Sequence, residues 1–311
     1  MDFVGKRKWF FTFSAILILV GVLSMTISPR FKVGIDFEGG SALSLTFAQA
    51  ANQDNMRAAM ADLGHGQAVV QRVGDTGFLI RTTTLEGPEL TGGLSERELI
   101  EERLTQEFGT IETSELSAVS EAVAKETIRN AGIAVAVAAL FIMIYISYAF
   151  RLMANSLRLG VAAIIAALHD VVITLGLFSI LGKVIDLEVN AMFITGILTV
   201  VGYSVHDTIV VFDRIRENTA RRISRDMGTT INVSIMETVG RSLTTSITTL
   251  TVIMALLLMG GGTIESLLYT LLIGVAVGTY SSIAIASQLL LVWEQGGWLP
   301  FLRRKEAEPQ S

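Results

Sequence analysis

The chain contains no cysteine. Disulfides, thiol catalysis and cysteine-ligated metal sites are therefore excluded, though compartment is not, because many exported domains lack disulfides. Also missing are a G-x-x-x-x-G-K-[ST] phosphate loop, an H-E-x-x-H pair and a G-x-S-x-G elbow. The glycine-rich run Gly34-Ile35-Asp36-Phe37-Glu38-Gly39-Gly40 lacks the dinucleotide-binding spacing. Without nucleotide chemistry, any work done by this protein has to draw on an ion gradient. One charge crossing 100 mV is worth about 2.3 kcal/mol, enough to shift a two-state equilibrium.

Charge is scarce too, at 17% of residues against 51% hydrophobic. A helix needs about 20 mostly apolar residues to cross a bilayer. Six stretches qualify, near 9–27, 132–150, 160–181, 189–212, 242–260 and 266–292. The first follows Lys6, Arg7 and Lys8 like a signal peptide, but it is too long for one and no A-x-A site precedes Pro29. An uncleaved anchor is expected. Arg151, Arg158, Arg214, Arg216, Arg221, Arg222, Arg225, Arg303, Arg304 and Lys305 collect on the side of Lys6. The short loops opposite hold only Lys183. The positive-inside rule then puts both termini in the cytoplasm and the long segment after the first span outside. Trp9, Phe10, Tyr148, Phe150 and Trp293 near span ends fit interfacial anchoring.

Residues 29–129 carry nine basic and sixteen acidic side chains, about −7, while the remainder is near +2. Topology accounts for the basic residues, so no nucleic-acid surface is implied. Within this outer segment an extended stretch at 31–47 is followed by a helix at 49–63. Strands at 67–73 and 77–83 flank a hairpin turn at Gly74-Asp75-Thr76-Gly77. Ser95 and Glu98 form a capping box for a helix running to about 108, and a strand at 110–119 precedes a polar helix. The order β-α-β-β-α-β is that of a ferredoxin-like split unit. That fold identifies no function by itself. His65, between two glycines after a helix, reads as a solvated turn residue.

The chemistry-bearing signal is a carboxylate, Asp207, inside the fourth apolar run, with Arg241 opening the fifth. An ionised group in hydrocarbon costs roughly 2.5–3.5 kcal/mol on insertion scales, so it needs a partner, water or a proton. Thr199, Tyr203 and Asp207 share one helical face. Arg241, Thr244, Thr245, Thr248 and Thr251 make a hydroxyl stripe, and Asp170 and Thr174 share a face beside His169. These faces are expected to turn toward one another as a polar seam. Asp207 then reads either as a static ion pair with Arg241 or as a proton relay. Burial and a neighbouring guanidinium act on proton affinity in opposite senses, so changing their separation would switch it.

Asp213, closing the fourth span before Arg214 and Arg216, reads first as an interfacial acid that is solvated or locally paired. His169 and Asp170 read as structural hydrogen bonding or as further relay members. His206 adjoins Asp207 but projects about 100° away on a helix. Gly274, Gly278, Ser282 and Ala286 repeat at four-residue steps and read as close helix packing. Residues 213–240 read as a basic, partly amphipathic connector on the cytoplasmic interface.

Several segments resemble the SecD/SecF protein-export family of the resistance-nodulation-division superfamily, on its SecF side. They are GIDFEGG at 34–40, ALHDVVITLG at 167–176, VGYSVHDTIVVFDRIREN at 201–218 and RSLTTSITTL at 241–250. The resemblance covers nearly the whole chain. It implies a six-span α-helical membrane bundle, half of a twelve-span assembly with SecD, carrying a periplasmic ferredoxin-like domain. It implies residence in the bacterial inner membrane and no enzymatic activity. Proton motive force would drive late steps of export through SecYEG, often with YajC, by pulling or releasing the preprotein. The family's relay residues fall on Asp207 and Arg241, with Asp213, Asp170, His169, His206, Thr245 and Thr248 as further relay or seam positions. Gly34, Asp36, Phe37, Gly39 and Gly40 carry a structural motif. No cofactor is implied beyond the coupling ion. His206 stands where relatives often carry asparagine, which leaves sodium open beside the proton. A transporter of lipids or small hydrophobic molecules, and a passive translocon scaffold, are the alternatives.

Overall fold

A computed structural model of the protein describes residues 2–28, 31–87, 93–153, 156–185, 187–259 and 264–295. The expected cytoplasmic tail, 296–311, lies outside them. The chain forms two units, one helical and one built from Val33–Ile133 with Val189–Ala191.

The helical unit uses six helices long and apolar enough to cross a membrane. They are α1 (Arg7–Thr26), α4 (Glu121–Ala149), α5 (Ser156–Val184), α6 (Ala191–Ala220), α7 (Met227–Met259) and α8 (Glu265–Glu294). Two smaller helices, α2 (Gln53–Asp62) and α3 (Glu96–Phe108), belong to the other unit. The protein is a multi-pass membrane protein. Close approach is built from small residues. Gly21 on α1 and Gly176 on α5 lie so near that a methyl group on either would collide with the other's backbone. Gly274 faces Val200 with no room for a methyl, and Gly278 lies against Ser204, so the small-residue line on α8 packs on α6. Lys183, in the last turn of α5, donates from Nζ to the Ser24 and Ile27 carbonyls at 2.6 and 3.1 Å. It satisfies carbonyls that the end of α1 leaves open.

The segment 213–240 is not one interfacial connector. α6 runs on to Ala220 and α7 starts at Met227, leaving six residues between them. Both helices continue because they pack: Ile215, Ile231 and Ile235 are fully buried. Arg214 binds Glu237 at 2.6 Å, and Asn218 donates to Ser234 and Glu237 at 3.0 and 2.7 Å.

The second unit has a sheet of four strands: β1 (Gly40–Phe47), β2 (Val69–Val73), β3 (Gly77–Thr82) and β4 (Ile111–Val119). Each pairs antiparallel with its neighbours in the order β2-β3-β1-β4. With α2 after β1 and α3 after β3, the element order is the expected β-α-β-β-α-β. Alternate residues Leu43, Leu45 and Phe47 point inward, onto Met56 and Met60 of α2 and Ile100 and Leu104 of α3. Asn52 caps α2, and the Ser95–Glu98 capping box starts α3.

Two expectations change here. The extended stretch from 31 is interrupted by a helical turn, Ile35–Glu38, before β1. His65 is buried, its Nδ1 bonded to Thr82 Oγ1 at 2.8 Å and its Nε2 3.0 Å from Glu96 Oε1. It is not a solvated turn residue, because the loop after α2 folds it back onto β3.

Candidate functional site: two buried carboxylates in the helical bundle

Asp207 sits past the middle of α6, with only 8% of its surface exposed. Each carboxylate oxygen accepts one hydroxyl proton. Ser242 on α7 donates to Oδ1 at 2.5 Å, and Ser282 on α8 donates to Oδ2 at 2.6 Å. Three helices thus meet at one acid. Neutral donors on both oxygens offset part of the desolvation cost, without supplying a counter-charge.

Arg241 does not pair with Asp207: among the described residues no ion pair joins them, and the guanidinium is exposed. The static ion pair is thereby corrected. The reason is angular. Arg241 and Ser242 are about 100° apart on α7, and Ser242 takes the inward position.

The same rotation explains the hydroxyl stripes. Thr244, Thr245, Thr248 and Thr251 are all exposed, as is Thr199 on α6. Thr245 and Thr248 donate to their own helix carbonyls, 3.0 Å to Arg241 O and 2.8 Å to Thr245 O. The face that looks into the bundle is instead Thr230, Ser234, Thr238, Ser242 and Ser246, each buried. Sequence reading missed this row, although its unbroken four-residue spacing was the available signal. Ser246 extends it by bonding Thr279 of α8 at 2.5 Å and Tyr203 of α6 at 3.2 Å.

Asp170, on α5, is fully buried. Its Oδ2 accepts from Ser204 of α6 at 2.5 Å and Ser281 of α8 at 2.6 Å, and its Oδ1 lies 2.9 Å from His169 Nδ1. Thr174 donates to the Asp170 carbonyl at 2.7 Å and so stays outside the carboxylate's shell. The expected seam therefore forms around Asp170 and Asp207, but with serines as its members.

The remaining candidates are placed elsewhere. Asp213 is exposed and bound to Arg216 at 2.6 Å, the local pairing expected of an interfacial acid. His206 is exposed and turned from Asp207. In the glycine-rich motif, Gly34 begins the Ile35–Glu38 turn and its N–H reaches Val189 O at 2.8 Å. Asp36 Oδ2 accepts from the Ala191 N–H at 2.8 Å, while Phe37 is half-buried in that turn. Gly39 and Gly40 take positive φ, +79° and +116°, and a Cβ on Gly40 would meet Thr82 O at 2.5 Å. The glycines and Asp36 of the motif shape the backbone here. Among the described residues no group of His, Cys, Asp or Glu could hold a metal.

Residues 100–296 match the family described as protein export membrane protein SecD/SecF, C-terminal. The chain belongs to the SecD/SecF protein-export family. It is similar to the protein translocase subunit SecF of Thermobaculum terrenum, 39% identical over 99% of this chain and 98% of that one. It is 36% identical to the SecF subunit of Anaerolinea thermophila over 100% of this chain and 99% of the other. The crystal structure of SecDF from Thermus thermophilus, titled a translocon-associated membrane protein, superposes with a TM-score of 0.80 at 33% identity. That match covers 95% of this chain and 39% of the Thermus chain.

Proposed function

We propose that this chain is the SecF subunit of a SecDF complex, coupling the proton motive force to late steps of protein export through SecYEG. Near-full-length similarity to subunits named SecF supports the subunit assignment. The observation that carries the coupling is Asp207: a buried carboxylate on a spanning helix, held by two serine hydroxyls and by no cation among the described residues. Nothing pins its charge, so it can gain and lose a proton as the surrounding helices move.

Arg241, fixed in charge and next to Ser242 on α7, modulates that exchange when helix movement changes its distance from Asp207. Protons are the coupling ion in this reading, and no enzymatic step is needed. Since Arg241 and its threonine neighbours lie exposed at membrane depth, a partner has to cover them. SecD is the natural one, because the Thermus chain carries more than this region in one polypeptide. SecYEG, YajC and the preprotein complete the set of partners. The assembly resides in a bacterial inner membrane, with both termini cytoplasmic and the ferredoxin-like unit in the periplasm.

The test is Asp207→Asn in the complex with its SecD partner, reconstituted with the translocon. The complex should assemble normally while stimulation of export by a proton gradient disappears. Stimulation at the wild-type level would overturn the relay.

A further inference from the structure

Three consecutive residues of α8 each touch a different titratable group. The Tyr280 ring stacks on His169 with centroids 6.4 Å apart, Ser281 donates to Asp170, and Ser282 donates to Asp207. At the last of them α8 leaves α-helical geometry for a π segment, Ser282–Ala286. Such segments occur frequently at functional sites. From this juxtaposition we propose that His169 and Asp170 form a second proton-carrying pair, connected to Asp207 through Tyr280-Ser281-Ser282. The proposal rests on the reading of Asp207 as a proton carrier.

The hydrogen bonds fix the chemistry of the pair. Ser204 and Ser281 both donate to Asp170 Oδ2. In the proposed pair Nδ1–H of His169 donates to Oδ1 of an ionised carboxylate, which then has three donors. In that tautomer the lone pair is left on Nε2. Nε2 is buried and has no hydrogen-bond partner among the described residues. A proton delivered by hydronium therefore adds to Nε2, an N–H bond forming as the O–H bond breaks and water leaves. The pair passes from −1 to neutral while Asp170 keeps its charge.

Transmission to Asp207 uses a switch in each serine. Ser281 Oγ lies 3.2 Å from the Gly278 carbonyl, and Ser282 Oγ 3.0 Å from the Thr279 carbonyl. Each hydroxyl thus has a backbone acceptor to fall back on when its carboxylate holds it less strongly. Because the two serines are adjacent, release of one reorients the turn that presents the other. Facing His169 are Asp170 from its own helix and Tyr280 from α8, with Asp207 one turn beyond Ser204 on α6. Tyr280 is itself anchored to α1, donating to the Phe10 carbonyl at 2.8 Å and bonded to Ser14 at 3.0 Å. Of the helices packed on α5, α1 and α8 carry Arg7, Lys8, Glu265 and Glu294 at their ends, α4 carries Glu121, Lys125, Glu126 and Arg129 in its first turns, and α6 carries Asp213, Arg214, Arg216 and Glu217 beyond Asp207.

The chain has three histidines, so histidine-selective 15N labelling yields a spectrum that can be assigned. The complex with the SecD partner is studied in proteoliposomes by magic-angle-spinning spectroscopy. Expected is an Nδ1–H tautomer for His169 at high pH and protonation of Nε2 as the pH is lowered. In Asp207→Asn the midpoint should move by about three-fold or more in proton affinity, and in Ser282→Ala that dependence on residue 207 should vanish. A His169 signal that does not titrate, that shows the Nε2–H tautomer, or that has the same midpoint in the wild type and in Asp207→Asn overturns the second site. Proton flux, measured on the same vesicles, tests the other reading separately. Wild-type flux through Asp207→Asn defeats the primary relay and with it the role of the pair as a second carrier, whereas a His169 that fails these tests while flux is lost in Asp207→Asn defeats the pair alone.

Discussion

The contact between Gly274 and Val200 should control both the stability of the bundle and the site two turns away. A methyl group on Gly274 would be driven into all three side-chain carbons of Val200, which is fully buried and has nowhere to rotate. Gly274→Ala should therefore destabilise by about 1–3 kcal/mol, the usual cost of overpacking. Val200→Ala alone removes two carbons and leaves a cavity whose lost packing contacts cost roughly 1–2 kcal/mol. In the double variant the new methyl occupies the space of the two lost γ-carbons, and only its 2.8 Å approach to Cβ of residue 200 remains to be relieved by a small shift. The two losses should then not add, with a favourable coupling of about 0.5–3 kcal/mol. Asp207 and Ser282 lie about two turns further along the same helices, joined at 2.6 Å. Wedging the helices apart should lengthen that bond, so gradient-driven export should fall in Gly274→Ala and recover in the double variant. Reversible unfolding in mixed micelles gives the energies, and reconstituted export gives the activity. Additive losses, or activity indifferent to the wedge, would refute the reasoning.

Two further outcomes follow from other parts of the molecule. The Ser95 backbone and side-chain hydrogen bonds hold the Glu98 carboxyl below its ordinary range. A depressed value means the capping box contributes fully at neutral pH and loses its contribution as pH falls through the folded value; amide exchange at the start of α3 should quicken with acid in the wild type, and Glu98→Gln should remove that acid dependence. Changing Thr244, Thr245 and Thr248 together to Leu should leave the fold intact but reduce recovery of the chain with its SecD partner. Unchanged recovery would mean that this face meets lipid.

Much of the fold could be read from residue order. The six apolar runs announce the spans, Ser95-x-x-Glu98 marks α3, and the glycine-flanked hairpin separates β2 from β3. These signals are local, so sequence preserves them. What escaped depended on which way a helix is turned. Arg241 and Ser242 are neighbours in the chain but occupy opposite environments, and only packing decides which looks inward. The more conspicuous residue drew attention to the wrong face of α7, while the serine and threonine row beside it looked unremarkable. Span ends were misjudged for a similar reason. Residues 213–220 and 227–240 are polar enough to suggest an interfacial strip, yet interhelical bonds at Arg214, Asn218 and Glu237 keep both helices intact. His65 was misread because its partners, Thr82 and Glu96, are distant in sequence.

The exposed guanidinium on α7 also bears on biogenesis. A newly inserted copy that has not met its counterpart presents a full positive charge and a row of hydroxyls to hydrocarbon, at a cost of several kcal/mol. Such an orphan would sit shallowly or distort the bilayer around it, and quality-control proteases of the membrane could recognise it on that ground. Subunit ratios would then correct themselves, since surplus copies carry the mark of their own incompleteness.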